Sequence, residues 1–398
     1  MDRNLTNRMD PLGENFIPLR HRELIHRLVE KFSHSDVIDE NRLLSLYNSL
    51  VKVFQIEHLY QLQHIEDLYS PLDPDEEQQD VEELDVAAQE TDLLFAQLSQ
   101  VLKAAHYDRL DQEELNHAVT LGWNWGVRLN LDFTIFERLE VYARGYRLVK
   151  RNRRRLLNLF RLEEVEFPEF HRLVVAFKIR PRARMNPQMQ ANAVYLKSFK
   201  NIPENELEVL LPGSTIKLSL IDRGKILLPS LSGAALAAYK VTRGAMIVTI
   251  FTLSAFYNWL LFGLIVSFYL CRALFSYLRT KDKYQFGLTR NLYLKNLDNN
   301  IGVVYRLFRE AEEQEVCETI LVYCLLLDAE DGLNADELHD RATEVLFELT
   351  GQTLSFDVKD ATRKLLRYGL AVECADHSWK VVPLDSATEK LMQLFPTL

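Results

Sequence analysis

The chain has 398 residues, enough for two or three domains, and is 47% hydrophobic and 26% charged, so most of it folds around cores in water. Its net charge of −10 excludes a general nucleic-acid binder unless the basic residues are segregated. The 4 cysteines, Cys271, Cys317, Cys324 and Cys374, are too few and too scattered for a disulfide framework, and a reducing compartment fits best.

The opening MDRNLTNRMDPLGENF has no apolar run and carries Asp2, Asp10 and Glu14, so neither a secretory signal nor an acid-poor presequence is expected there. From about Glu14 to Ser70, apolar residues recur at three- and four-residue steps (Leu24, Leu28, Leu43, Tyr47, Leu50, Phe54), which predicts helix up to Pro71. PLDPDEEQQDVEELD follows, with eight carboxylates between Asp73 and Asp85. It lacks the central glycine of a calcium loop, so it reads as an acidic linker near 71–90 and a helix start. Further helices are predicted near Thr91–Ala105 and Asp111–Leu121, making 1–125 a helical N-terminal region.

After Gly126 the period changes. VRLNLDF, EFHRLVVAFKIR, AVYLKSFKNI and STIKLSLIDRGKILLPS read as strands, the last a hairpin about Asp222-Arg223-Gly224. TIFERLEVYARG reads as a helix between them, so 126–232 is predicted to be a mixed α+β region. GAMIVTIFTLSAFYNWLLFGLIVSFYLC, 28 residues from Gly244 to Cys271, then carries no charge. A bilayer crossing needs about 20 apolar residues. As one helix the stretch would span about 42 Å, too long unless tilted. Tyr257-Asn258-Trp259 offers a turn. Positive charge flanks both ends, at Lys240 and Arg243 before it and at Arg272, Arg279, Lys281 and Lys283 after it. Both ends therefore belong on the cytoplasmic side, and a hairpin over 233–279 is favoured over a single pass.

Residues 280–330 read as a long helical segment with Asp298-Asn299-Asn300 as break or cap. In 331–398, ADELHDRATEVLFELTG and FDVKDATRKLLRYGL read as helices and AVECADHSWKVVP as a short hairpin, a winged-helix-like order. The expected fold class is thus α+β with a two-helix transmembrane hairpin: a helical N-terminal region, a mixed α/β middle and a helical, winged-helix-like C-terminal module.

Several blocks carry a resemblance: FIPL at Phe16–Leu19, PLDPD at Pro71–Asp75, the DF…F…ARG run from Asp132 to Gly145, FKNIPENELEVLLPG and NLYLKNLDNN. Through them nearly the whole chain resembles the family named for transmembrane protein 143. That resemblance implies two adjacent membrane helices and a bacterial inner membrane as the home of this chain. It supplies no reaction, cofactor or catalytic residue.

Three groups stand out as candidate sites. Between Arg138 and Arg161 nine Lys/Arg face one acid, Glu140, and Lys150, Arg151, Arg153, Arg154 and Arg155 are almost contiguous. That cluster suits a lipid surface, a solvated face, or else nucleic acid or an acidic partner. Asn296, Asp298, Asn299 and Asn300 form a possible polar site, with cap and helix-break roles as the structural reading. Lys359, Arg363 and Arg367 step by four along one predicted helix, beside Lys364, as phosphate-contacting residues would. From Asp328 to Leu398, however, fourteen acids outnumber seven Lys/Arg, which disfavours nucleic acid. Glu310, Glu312, Glu313 and Glu315 read as a solvated face. The 10 histidines share no metal spacing, and no nucleophile elbow or phosphate loop occurs. No catalytic residue, metal or cofactor is called.

The expected role is a non-enzymatic, membrane-anchored interaction scaffold, integral to the inner membrane with both termini cytoplasmic. Its expected partners are the lipid bilayer and a protein partner or a second copy. The alternatives are an enzyme acting on a lipid or membrane-proximal substrate, and a membrane-tethered nucleic-acid binder.

Overall fold

A computed structural model describes residues 15–32, 39–76, 84–116, 127–130, 132–154, 162–180, 190, 192–212, 215–218, 239, 263–264, 267–268, 271–272, 275, 279, 293–329, 331–375 and 377–394. They fall into two compact units, one of residues 1–110, 136–201 and 297–398, the other of 111–135 and 202–296.

The first unit is built on one buried helix. Helices α1 (His21–Phe32), α2 (Glu40–Tyr69) and α3 (Leu84–Ala104) come first, then strands β1 (Asp108–Arg109), β3 (Phe136–Arg154), β4 (Leu162–Ile179) and β5 (Val194–Pro203). Strand β7 (Asn296–Asn299) leads into α5 (Ile301–Asp328), followed by α6 (Ala335–Thr350), α7 (Val358–Arg367), β8 (Ala371–Glu373), β9 (Trp379–Val381) and α8 (Leu384–Leu394). The strands form a five-stranded antiparallel sheet in the order β1-β3-β4-β5-β7. β3 and β4 pair over nearly their full lengths, from Phe136↔Ile179 to Arg154↔Leu162.

Helix α5 reaches both cores. Its first half (Val303, Val304, Leu307, Phe308, Ala311) packs with α3 and the sheet residues Tyr142, Val174, Val194 and Leu196. Its second half, from Val316 to Leu326, joins the helical core of α1, α2, α6, α7 and α8. Every residue from Val316 to Leu326 is buried. A helix apolar on all sides is stable in water only when protein covers it all round, and this stretch is so covered. Cys317 and Cys324 lie there as buried free thiols.

Local chemistry sets the boundaries. Asn334 caps α6 and forms a reciprocal capping box with Glu337, and Gly351 ends the helix in the left-handed region at φ 71°. Asp357 caps α7 through Lys359 N. Leu333 bridges Trp379 antiparallel, so the C-terminal part runs helix, bridge, helix, helix, hairpin, then α8.

In the second unit, β2 (Val127–Asn130) pairs antiparallel with β6 (Thr215–Leu218). Helix α4 (Leu207–Leu210) lies between them in sequence, and Lys295 Nζ meets Glu206 Oε2 at 2.5 Å.

Two expectations are corrected. TIFERLEVYARG is not a helix; from Phe136 it is strand β3. Phe136, Leu139 and Tyr142 fall at helical spacing, yet Val141, Tyr142 and Ala143 are all buried, because both faces of the strand are covered. Burial on both faces erases the alternation that marks a half-buried strand. The larger correction concerns the membrane. Among the described residues no helix is long and apolar enough to cross a bilayer. The transmembrane hairpin over 233–279 therefore drops out of the fold class. The integral placement in a bacterial inner membrane with both termini cytoplasmic drops out with it. A crossing needs about 20 helical residues in a row, and no such apolar run occurs among the described residues. Most of the charge-free stretch, with Lys240, Arg243, Lys281, Lys283 and the turn at Asp222–Gly224, lies outside the described residues. Arg272 and Arg279 stand at exposed helical positions.

Leu321 is fully buried in α5 at the centre of the helical core. Leu321→Ala is expected to lower the unfolding free energy by about 2–5 kcal/mol in urea titration. A loss below about 0.5 kcal/mol would contradict the placement of α5 as the central helix.

Candidate functional site

Helix α5 carries polar side chains at steps of four, Glu310, Gln314 and Glu318, on positions that are all buried. A buried carboxylate is tolerated only when charge and hydrogen bonds replace its water. Each residue of this row has its own partner. Tyr107 donates its hydroxyl to Glu310 Oε2 at 2.7 Å, and Arg144 Nη1 lies 3.5 Å from the same oxygen. Arg172 Nε is 3.7 Å from Glu310 Oε1. Gln314 takes both polar groups of Ile17, accepting from its N at 2.9 Å and donating to its O at 3.0 Å. Glu318 bonds His106 Nε2. One position past Gln314, Glu315 binds His58 Nε2 at 2.8 Å and Lys364 Nζ at 3.1 Å. Burial pushes the Glu315 carboxyl up, but the His58 hydrogen bond and the Lys364 charge outweigh it and hold the group below the usual carboxylate range.

The Arg144 guanidinium sits over the Phe16 ring at 4.6 Å and the Tyr107 ring at 5.3 Å and donates to Ala105 O at 3.0 Å. Gly145 next to it has φ +70°, and a Cβ there would come within 2.9 Å of Phe16, so the close approach of Phe16 requires glycine. The ARG and FIPL blocks therefore touch. His171 stacks on Phe16 at 6.0 Å, and burial together with Arg172 and Arg144 pushes its imidazole down to about 4.

The possible polar site is a structural corner. Asn300 N donates to Leu196 O at 2.7 Å, and Asn300 Nδ2 donates to Asp75 Oδ2 at 2.7 Å. Asn300 has φ 49° and ψ −128°, a backbone conformation that L residues rarely adopt. Asp298 N donates to Ser198 Oγ at 3.1 Å, and its carboxylate pairs with Arg306. Asn299 is exposed, and Asn296 keeps a buried Oδ1 without a partner. Asp73, read in sequence as solvated linker, is buried, and burial raises its carboxyl. PLDPD and NLDNN thus lock each other. No group of three or more metal-type ligands occurs among the described residues.

The basic run divides. Lys150 is exposed, Arg151, Arg153 and Arg154 lie on β3, and Arg155 is outside the described residues. The register sets Lys150 opposite Glu166, Asn152 opposite Glu164 and Arg153 opposite Glu163. On α7, Lys364 pairs with Glu315 at 3.1 Å and Asp360 at 2.7 Å, Arg363 with Asp360 at 3.1 Å, and Arg367 with Glu57 at 2.7 Å. Tyr368 also donates to Glu57, at 2.8 Å. Lys359 is exposed.

Two open cavities share His21 and Arg22. One, of about 410 Å³, is lined by Arg20, His21, Arg22, Arg309, Glu312 and Glu313. The other, of about 280 Å³, runs along α1 and α2 past Tyr47 and Gln55. Neither is lined by the strands or by the NLDNN segment.

A family model for a protein of unknown function, DUF3754, matches residues 170–302. No solved structure matches the chain. The DUF3754 segment contains the end of β4, strands β5, β6 and β7, and the FKNIPENELEVLLPG and NLYLKNLDNN blocks. Its last residues, Asn300 to Gly302, open α5. The partners that clamp the polar row at Arg144, Tyr107, His58 and Lys364 lie outside it.

Sequence reasoning missed the row. Glu310 was read as solvated, yet it is 7% exposed, and His58 and Lys364 were assigned no shared partner. The available signal was the row of polar residues at steps of four, Glu310, Gln314 and Glu318, leading into the apolar run from Ile320 to Leu326.

His171 is neutral in the fold down to about pH 4, whereas the unfolded chain takes up the proton near pH 6.5. Its contribution to stability is therefore complete above pH 6.5 and is lost as pH falls towards 4. In urea titrations across that window, His171→Gln should show a shallower loss of stability than the parent chain. Identical pH slopes would contradict the neutral, buried imidazole.

Proposed function

We propose that this chain is a non-enzymatic interaction scaffold whose C-terminal module docks a protein surface. The observation that carries the reading is the state of α7. Its cations Arg363, Lys364 and Arg367 pair with Asp360, Glu315 and Glu57 of the same chain. A helix that reads nucleic acid needs such charges for phosphates. Here Lys364 locks α7 onto α5, and Arg367 locks it onto α2. The same module leaves large apolar side chains open, Phe347 at 53%, Val372 at 56% and Met392 at 57% exposure. Exposed apolar side chains within an acid-rich surface suit a protein partner better than a polyanion.

The basic arm of β3 supports the same class. The register sets Glu163, Glu164 and Glu166 on the strand opposite this arm, and acids alongside a basic run weaken its attraction to an anionic lipid surface. The lipid-enzyme alternative needs polar groups free to converge on a substrate. Asp298 and Asn300 are instead bonded to Ser198, Arg306, Leu196 and Asp75. The shared blocks FIPL, PLDPD and NLYLKNLDNN support a relation to the transmembrane protein 143 family, a finer statement than the DUF3754 match, and one that brings no activity with it.

The test places a photo-crosslinking amino acid at Val372, and separately at Lys150 as a control position, in the full chain in its native cells. A discrete protein adduct from position 372 that disappears on Phe347→Asp supports the docking module. Absence of such an adduct, together with salt-dependent binding of labelled duplex DNA by the purified chain, would replace this reading with a nucleic-acid one.

A further inference from the structure

The larger cavity lies where the chain enters α1 and runs beside α5. Arg20, His21 and Arg22 come from the start of α1, and Arg309, Glu312 and Glu313 from the exposed side of α5. Among the described residues, the guanidiniums of Arg20 and Arg309 make no hydrogen bond or ion pair. That sets them apart from the neighbouring arginines: Arg27 pairs with Glu23, and Arg306 with Asp298. Glu313 stands four residues after Arg309 on the same helix, the spacing at which such residues ordinarily pair, and the two do not. Glu312 is already held by Gln55 Nε2 at 3.0 Å. Tyr47, which lines the neighbouring cavity, bonds His21 Nδ1 and Arg22, and burial raises its phenol so that it stays neutral.

We propose that this cavity binds a small phosphorylated ligand, a phosphate monoester or a pyrophosphate, through Arg20, Arg22 and Arg309. Planar guanidiniums recognise phosphate oxygens by paired charge-assisted hydrogen bonds. A volume of about 410 Å³ falls in the range of small-ligand sites. Arg20 and Arg309 are exposed and have no internal partners, so their paired donors are available to such a ligand beside one cavity. The carboxylates of Glu312 and Glu313 at the same cavity can accept from hydroxyl or amino donors on the remainder of such a ligand. The site is independent of the docking module and stands or falls separately from it.

Calorimetric titration of the full chain with inorganic pyrophosphate is the test. Saturable binding is expected, weakened about tenfold by Arg20→Gln and by Arg309→Gln. Glu313→Gln should leave the affinity unchanged or raise it. Phosphatidylcholine vesicles with and without phosphatidic acid, run alongside, separate a soluble ligand from a lipid headgroup as the source of the phosphate. No binding of either probe, or an affinity unchanged from the parent chain in both arginine variants, would overturn the proposal. If a glutamine variant loses its circular dichroism, Arg309→Lys takes its place: it keeps the charge without the fork, so affinity must fall but persist, and unchanged affinity would count as refutation.

Discussion

The constraint on which the first unit depends is the need to satisfy charge inside α5. A helix buried from Val316 to Leu326 would be an unremarkable hydrophobic spine if its only function were to fill space. It also carries Glu310, Gln314, Glu315 and Glu318, and each must find a partner as the chain closes around it. Those partners come from distant parts of the sequence: Ile17 before α1, His58 on α2, His106 and Tyr107 after α3, Arg144 and Arg172 on the sheet, and Lys364 on α7. Breaking a buried pair by removing one side costs several kcal/mol, about 3–5, because the other charge is left without its solvent. The row therefore specifies which segments surround α5, while the apolar contacts provide most of the drive to bury it.

The DUF3754 match covers only part of this unit. Residues 170–302 hold the strands and the corner at Asn300 that aims α5, but most of the helix and most of its clamps lie elsewhere in the chain. The corner is made rigid by Asp75 and Leu196 bonding Asn300 from two sides. Where α5 starts decides which residues its polar row can reach.

What could be read from sequence follows the range of the interactions involved. Helix α6 was legible because its signals are local: a capping box at Asn334 and Glu337, and a left-handed glycine at Gly351. Strands β4 and β5 were legible from β-branched and aromatic runs. Strand β3 was not, because its identity is set by pairing with β4, and Phe136, Leu139 and Tyr142 imitate a helical face. The polar row and the cavity were illegible for the same reason. Nothing near Glu310 in sequence announces Arg144, and nothing near Arg20 announces Arg309. The membrane hairpin was an expectation from the charge-free stretch, most of which lies outside the described residues, and among the described residues no helix is long and apolar enough to cross a bilayer.

The coupling between α5 and the sheet is measured most directly by a double-mutant cycle on Glu310→Gln and Arg144→Gln by urea unfolding at neutral pH. If the polar row organises the unit, the two substitutions are coupled by roughly 1 kcal/mol or more, the double variant being less destabilised than the sum of the single ones. Additivity within about 0.5 kcal/mol would show that the buried carboxylate and the arginine act independently, and would contradict the role given to α5.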